Sequence, residues 1–181
     1  MSAEMARIAK RQVSLWPRGT AFDLRPMARH LMQDLAIGLL FGDERERARP
    51  ITAMIERQIV AFSPSRFLNY LSWLVVAPRQ ERLIMEWAEQ KRGNLDPKDL
   101  LSIIVNSPDE YGSPVTRDII GGLVTFTFGA AYETCQNAFI WTLVLLTQHP
   151  KVAAAVADEI RGAVGHDPEA VPCVRELAAS S

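Results

Sequence analysis

Glu133 and Thr134 stand side by side in "FGAAYETCQNAFIW", residues 128–141, inside the longest apolar region of the chain. An acid and a hydroxyl are poor choices for a dry core, because burial strips both of the water that would hydrogen-bond them. Beside a ligand, the same pair can move protons. The residues just before them, Gly129, Ala130 and Ala131, leave space where Leu or Val would fill it. Helical spacing sets Phe126, Ala130 and Thr134 on one stripe, so a single pocket wall can hold all three. A plainer reading stays open beside this one. Small residues also permit close helix packing, a helical Thr commonly bonds the carbonyl one turn back, and a buried Glu can simply pair with an arginine.

The element that must position these residues is a long helix, about 115–148. At 1.5 Å per residue it would span about 50 Å. It is apolar on all sides from 119 to 146, the pattern of a helix through the centre of a domain. Gly121, Gly122 and Gly129 each cost about 1 kcal/mol relative to Ala there. Ahead of it the periodicity predicts helices at 3–15, at 26–41 opening on Pro26 and closing at Gly42, and at 48–62. The aromatic stretch 62–76 reads as a loop with a short apolar helix, a candidate lid or partner surface. An amphipathic helix follows at 79–92. A short one then starts with Asp96 as N-cap and Pro97 in the first turn. His149-Pro150 ends the long helix and opens the last clear one, 150–162. The fold class is all-α, with one long buried helix.

The totals exclude several functions. The 181 residues suffice for one domain and are 48% hydrophobic and 23% charged. A net charge of −1 points neither to nucleic acid nor to an anionic membrane. Cys135 and Cys173 lie too far apart for a metal-spaced pair, and His30, His149 and His166 fall on separate segments, so we expect no metal ligands. The N-terminus lacks a signal-peptide core, and no stretch reaches the ~20 apolar residues of a spanning helix. We expect a soluble, cytoplasmic chain without a membrane segment of its own.

The central helix resembles that of the cytochrome P450 haem-thiolate monooxygenases, which carry small–Gly–x–acid–Thr there, followed by a helix ending in "QHP". Here the residues are Ala130-Ala131-Tyr132-Glu133-Thr134, then "WTLVLLTQHPKVAAAVADEI". "FDL" before a helix ending "LLFG", and "KDLLSIIV" before the long helix, agree with the same family. The resemblance covers nearly all of residues 1–181. It implies a haem cofactor, a small apolar organic substrate and an electron-transfer redox partner. Thr134 would be the hydroxyl that helps deliver protons at the oxygen site, and Glu133 the acid beside it. Ala130 and Ala131 would lie against the cofactor, although the family usually has Gly at the position of Ala131. Leu123 and Phe126 would face substrate, with core packing the competing reading for both.

The departures from the family matter as much. Its axial cysteine sits in a Gly-rich, Phe-led loop, and neither Cys135 nor Cys173 has such surroundings. The Glu-x-x-Arg helix and the upstream Trp and Arg that bind a haem propionate are also not found in 1–181. We therefore expect residues 1–181 to be a single incomplete domain, the central helical part of the fold without its sheet-rich and haem-ligand regions. The chain alone would then be catalytically incomplete, since the thiolate gives this haem its oxygen-cleaving chemistry. The competing reading is a non-catalytic all-helical ligand-binding or interaction module.

Overall fold

The computed structural model describes residues 2–42, 44–60, 66–94 and 99–164. The described residues form seven helices: α1 Ser2–Ser14, α2 Leu24–Phe41, α3 Arg45–Val60, α4 Arg66–Lys91, α5 Leu100–Asn106, α6 Arg117–Gln148 and α7 Pro150–Val164. They include no strand, and Pro108 and Pro114 make one isolated bridge. The fold is all-α.

Local chemistry explains most boundaries. Asp23 caps α2 by accepting from the Arg25 backbone N–H at 3.0 Å. The helix thus begins two residues before Pro26, which the first turn tolerates because its N–H groups have no helical acceptor. Gly42 ends it at φ 68°, a conformation that suits glycine, and its N–H reaches the Gly38 carbonyl. Gly38 also lets α1 approach closely: a Cβ there would lie 2.5 Å from Ile8 Cδ1.

Two segments differ from the sequence reading. The expected break near Pro78 does not occur, and α4 runs unbroken through that proline. Proline inside a helix costs about 3 kcal/mol. The following turns of α4 bury Gln80, Ile84, Met85, Trp87 and Ala88, and that packing outweighs the local penalty. Residues 62–65 of the aromatic stretch lie outside the described residues, whereas 66–76 are helical. The second difference is at α5, which starts at Leu100 with Asp99 as its cap; Asp96 and Pro97 lie outside the described residues. Asp99 Oδ1 accepts from the Ser102 N–H at 2.8 Å, and Oδ2 accepts from Ser102 Oγ at 3.0 Å. The same carboxylate pairs with Lys91 Nζ at 2.6 Å. A buried acid holding a cap and a cation together fixes α5 against the end of α4.

The core draws on α2 to α6. Phe41 stacks on Trp87 with centroids 4.6 Å apart and planes 5° from parallel. Around this pair gather Ile37, Leu40, Ile51, Ile55, Ile84, Leu101, Val124 and Phe128. Only one stripe of α6 takes part: Ile120, Val124, Phe128, Tyr132 and Gln136 are buried. Its other side is open, with Phe126 73% and Trp141 65% exposed. The apolar-all-round pattern of α6 therefore does not make it a fully buried helix within these residues. Burial needs a partner element, and α2 to α5 supply one on a single side. Among the described residues no single helix is long and apolar enough to cross a membrane, and α6 and α7 together are bent by 114°.

Candidate functional site

α6 places Thr134, Ala130 and Phe126 on its open face, four residues apart. Thr134 Oγ1 donates to the Ala130 carbonyl at 2.5 Å. The hydroxyl is thus oriented by its own helix on an exposed position. Glu133 is exposed on the neighbouring position and has no hydrogen bond or ion pair among the described residues. Leu123 is 41% exposed on the same side. Ala131 behaves differently: one residue on is a rotation of about 100°, and its side chain is half-buried. α6 continues through it without a break. Cys135 is exposed on α6, and Cys173 lies outside the described residues.

Behind Thr134, on the covered side, is a polar cluster that the sequence did not single out. Tyr132 is 6% exposed and packs on Phe128 with centroids 5.1 Å apart. Burial pushes its phenol above the ordinary value, and the charges of Glu56 and Glu133 add to this while Arg29 opposes it. Burial likewise raises the Glu56 carboxyl; Arg29, the hydrogen bond from Gln33 and His30 pull it down. Gln33 Nε2 donates to Glu56 Oε1 at 2.6 Å. Tyr132 was in view as the variable position of the acid–Thr motif. Glu56 gave no signal, because its partners come from α2 and α6, far away in sequence.

A second feature lies near the start of α6. A cavity of about 490 Å³ opens between α4 and α6, with Gln80, Ile84, Gly122, Thr125 and Phe126 in its wall. Gln80 Nε2 donates to Thr125 Oγ1 at 2.7 Å and ties the two helices together. Phe126 thus belongs both to the wall of this cavity and to the face that carries Thr134. α4 supplies half the cavity, and no spacing within α6 could have revealed it.

The sequence matches the Cytochrome P450 family over residues 17–178. The chain belongs to the cytochrome P450 family. It is 27% identical to cytochrome P450 138 of Mycobacterium tuberculosis over 171 residues, 87% of this chain and 38% of that protein. It is 35% identical to cytochrome P450 71B5 of Arabidopsis thaliana over 80 residues, 42% of this chain and 16% of that protein. The fold superposes on the haem domain of cytochrome P450DA with a TM-score of 0.72 at 22% identity, covering 97% of this chain and 42% of that one. The cyanobacterial P450 CYP120A1, solved with retinoic acid bound, gives a TM-score of 0.66 at 18% identity, covering 87% of this chain and 39% of that one. The chain thus spans about two-fifths of the length of these longer matches. Membership in the P450 family implies a haem cofactor.

The residues present fit one side of such a ring. Ala130, Thr134 and Asn137 form a low stretch of the open face between the bulkier Phe126 and Trp141. A flat apolar group can approach the helix there without meeting a large side chain. Bound, the haem would supply the oxygen and electron chemistry that no amino-acid side chain provides.

Proposed function

We propose that this segment forms the oxygen-side wall of a haem-dependent monooxygenase acting on a small apolar organic substrate, with electrons from a separate redox partner. Ala130 and Ala131 would lie nearest the cofactor, and Leu123 and Phe126 would face substrate. Thr134 would present its hydroxyl at the reacting centre, and Glu133 would exchange protons between that hydroxyl and solvent. The observation that carries this reading is the Thr134 Oγ1 bond to the Ala130 carbonyl on the open face. It holds the hydroxyl at one rotamer on the open face, one position along the helix from an exposed carboxylate, and proton exchange between the two is part of the proposal. The proposal assigns the axial thiolate to neither Cys135 nor Cys173, since the sequence around each lacks the Gly-rich pattern. A cytoplasmic location belongs to the same proposal.

The test of Thr134 uses a haem-loaded protein that includes this segment. Thr134→Ala should consume reducing equivalents while releasing more peroxide and about a hundredfold less product, at the low end of general acid–base effects. Unchanged coupling and yield would leave Thr134 as a hydroxyl bonded only to its own helix. A second test needs no turnover. Hemin added to residues 1–181 should bind weakly, and Ala130→Trp should weaken it further by filling the low stretch. Reduced and exposed to carbon monoxide, the hemin-loaded chain should show no thiolate-type band. Such a band, lost on Cys135→Ser, would overturn the assignment of the thiolate to other residues.

One observation favours a second reading, a helical ligand-binding module without redox chemistry of its own. Among the described residues the wall of the cavity between α4 and α6 comes from these two helices alone.

A further inference from the structure

The polar groups around the α4–α6 cavity are unusual in kind. Gln80 is only 4% exposed and lines the cavity. Its Nε2 is committed to Thr125, but its Oε1 is buried with no hydrogen-bond donor among the described residues. Buried amide oxygens in native proteins almost always find a donor, so an orphan beside an open cavity marks a place where one can be supplied. Two carboxylates, Glu81 and Asp118, line the same cavity from opposite helices, and neither has a hydrogen bond or ion pair among the described residues. Among the described residues no lysine, arginine or histidine lines it. The rest of the wall is apolar, including Ile84 and Phe126. The volume of about 490 Å³ falls within the roughly 300–1,000 Å³ of small-molecule sites.

Three acceptors without a cation, set around an apolar floor, call for a ligand rich in donors at one end and apolar at the other. We infer that this cavity selects small molecules with an apolar body and a protonated amine, the ammonium lying between Glu81 and Asp118 with Gln80 Oε1 as a further acceptor. An ammonium offers three donors and a positive charge, which matches the three acceptors in number and sign. A neutral alcohol offers one donor and no charge. Both carboxylates are exposed, so solvent screens their attraction, and the buried amide adds a hydrogen bond that water does not compete for. The inference deepens the proposed function, because it rests on the reading of Phe126 as a residue that faces substrate.

Gly122 provides a clean way to close the cavity. A Cβ at Gly122 meets no atom within 4 Å, so Gly122→Leu fills empty space without displacing backbone and also favours the helix. Binding of 4-phenylbutylamine and its neutral counterpart 4-phenylbutanol to residues 1–181 is measured by saturation-transfer NMR, which tolerates protein association. The amine should bind about tenfold tighter than the alcohol, one charge-assisted hydrogen bond's worth. Glu81→Gln with Asp118→Asn should remove that preference and leave the alcohol's affinity unchanged, and Gly122→Leu should abolish binding of both. Equal affinities, a preference that survives the double substitution, binding that survives Gly122→Leu, or no binding of either molecule would each overturn the inference. None of these readouts uses haem or turnover. Failure here leaves the Thr134 experiment standing, and failure of that experiment leaves amine selection standing.

Discussion

The covered stripe of α6 and its open face differ little in composition and greatly in environment. Ile120, Val124 and Phe128 are fully buried, while Ile119, Leu123 and Phe126 on the same turns are 41–73% exposed. The covered residues recur every fourth position. Each step of four advances 40° beyond a full turn, so the stripe slants around the helix along the ridge that packs into a neighbour's groove. The open face runs with the i, i+3, i+4 pattern instead and carries Ala130, Glu133 and Thr134. Apolar character on α6 therefore marks two jobs. One side builds the core, and the other is open among the described residues and carries the small and polar residues of the proposed site.

Paired substitutions sharpen this contrast most directly. Phe128→Ala should destabilise the chain by about 3–5 kcal/mol, the usual loss for a buried Phe. Phe126→Ala, at 73% exposure, should stay within about 0.5 kcal/mol. Denaturant unfolding followed by circular dichroism measures both, and comparable losses would erase the distinction between the two faces.

The open face should also show itself in solution. Phe126, Trp141 and Leu145 on α6, with Val152, Val156 and Ile160 on α7, leave a large apolar surface uncovered. Monomers rarely expose contiguous patches beyond a few hundred Å². Residues 1–181 should be helical yet self-associate at micromolar concentration in sedimentation or light scattering. Phe126→Glu with Trp141→Glu should shift the protein toward monomer without loss of helical signal. A monodisperse wild-type monomer with a sharp thermal transition would show that this face needs no cover.

Smaller effects test each side separately. On the open side, Gly122→Ala should stabilise by about 0.5–1 kcal/mol, since the new methyl meets nothing and removes backbone freedom from the unfolded chain. On the covered side, Glu56 has its folded-state affinity for a proton raised by burial. The folded protein then holds more protons than the unfolded chain from the ordinary carboxyl value of 4.5 up to the raised one. Glu56's contribution is present below that window and is lost as pH rises through it. Glu56→Gln should flatten this part of the stability curve and gain a few tenths of a kcal/mol at neutral pH, discounted for partial exposure. It should also lower the titration midpoint of Tyr132, read by ultraviolet absorbance, because a negative charge that raises it is gone. A Tyr132 midpoint that does not move would separate the two groups.

The sequence by itself determined the order of the helices outside 62–92, the stop at Gly42, the length of α6 and the family, because these rest on local periodicity, caps and contiguous motifs. It also placed Phe126, Ala130 and Thr134 on one stripe, since a helix's pitch makes that arithmetic. Only the tertiary structure decided which side of α6 is covered, because an all-round apolar helix carries no internal mark of where its neighbours will lie. It decided as well that α4 runs through Pro78: the local penalty is legible in the sequence, whereas the packing of Ile84, Trp87 and Ala88 that outweighs it is not. The Gln80–Thr125 bond and the Glu56–Tyr132 cluster join residues 45 and 76 positions apart. No window on the sequence spans such pairs; they meet only when α3 and α4 close on α6.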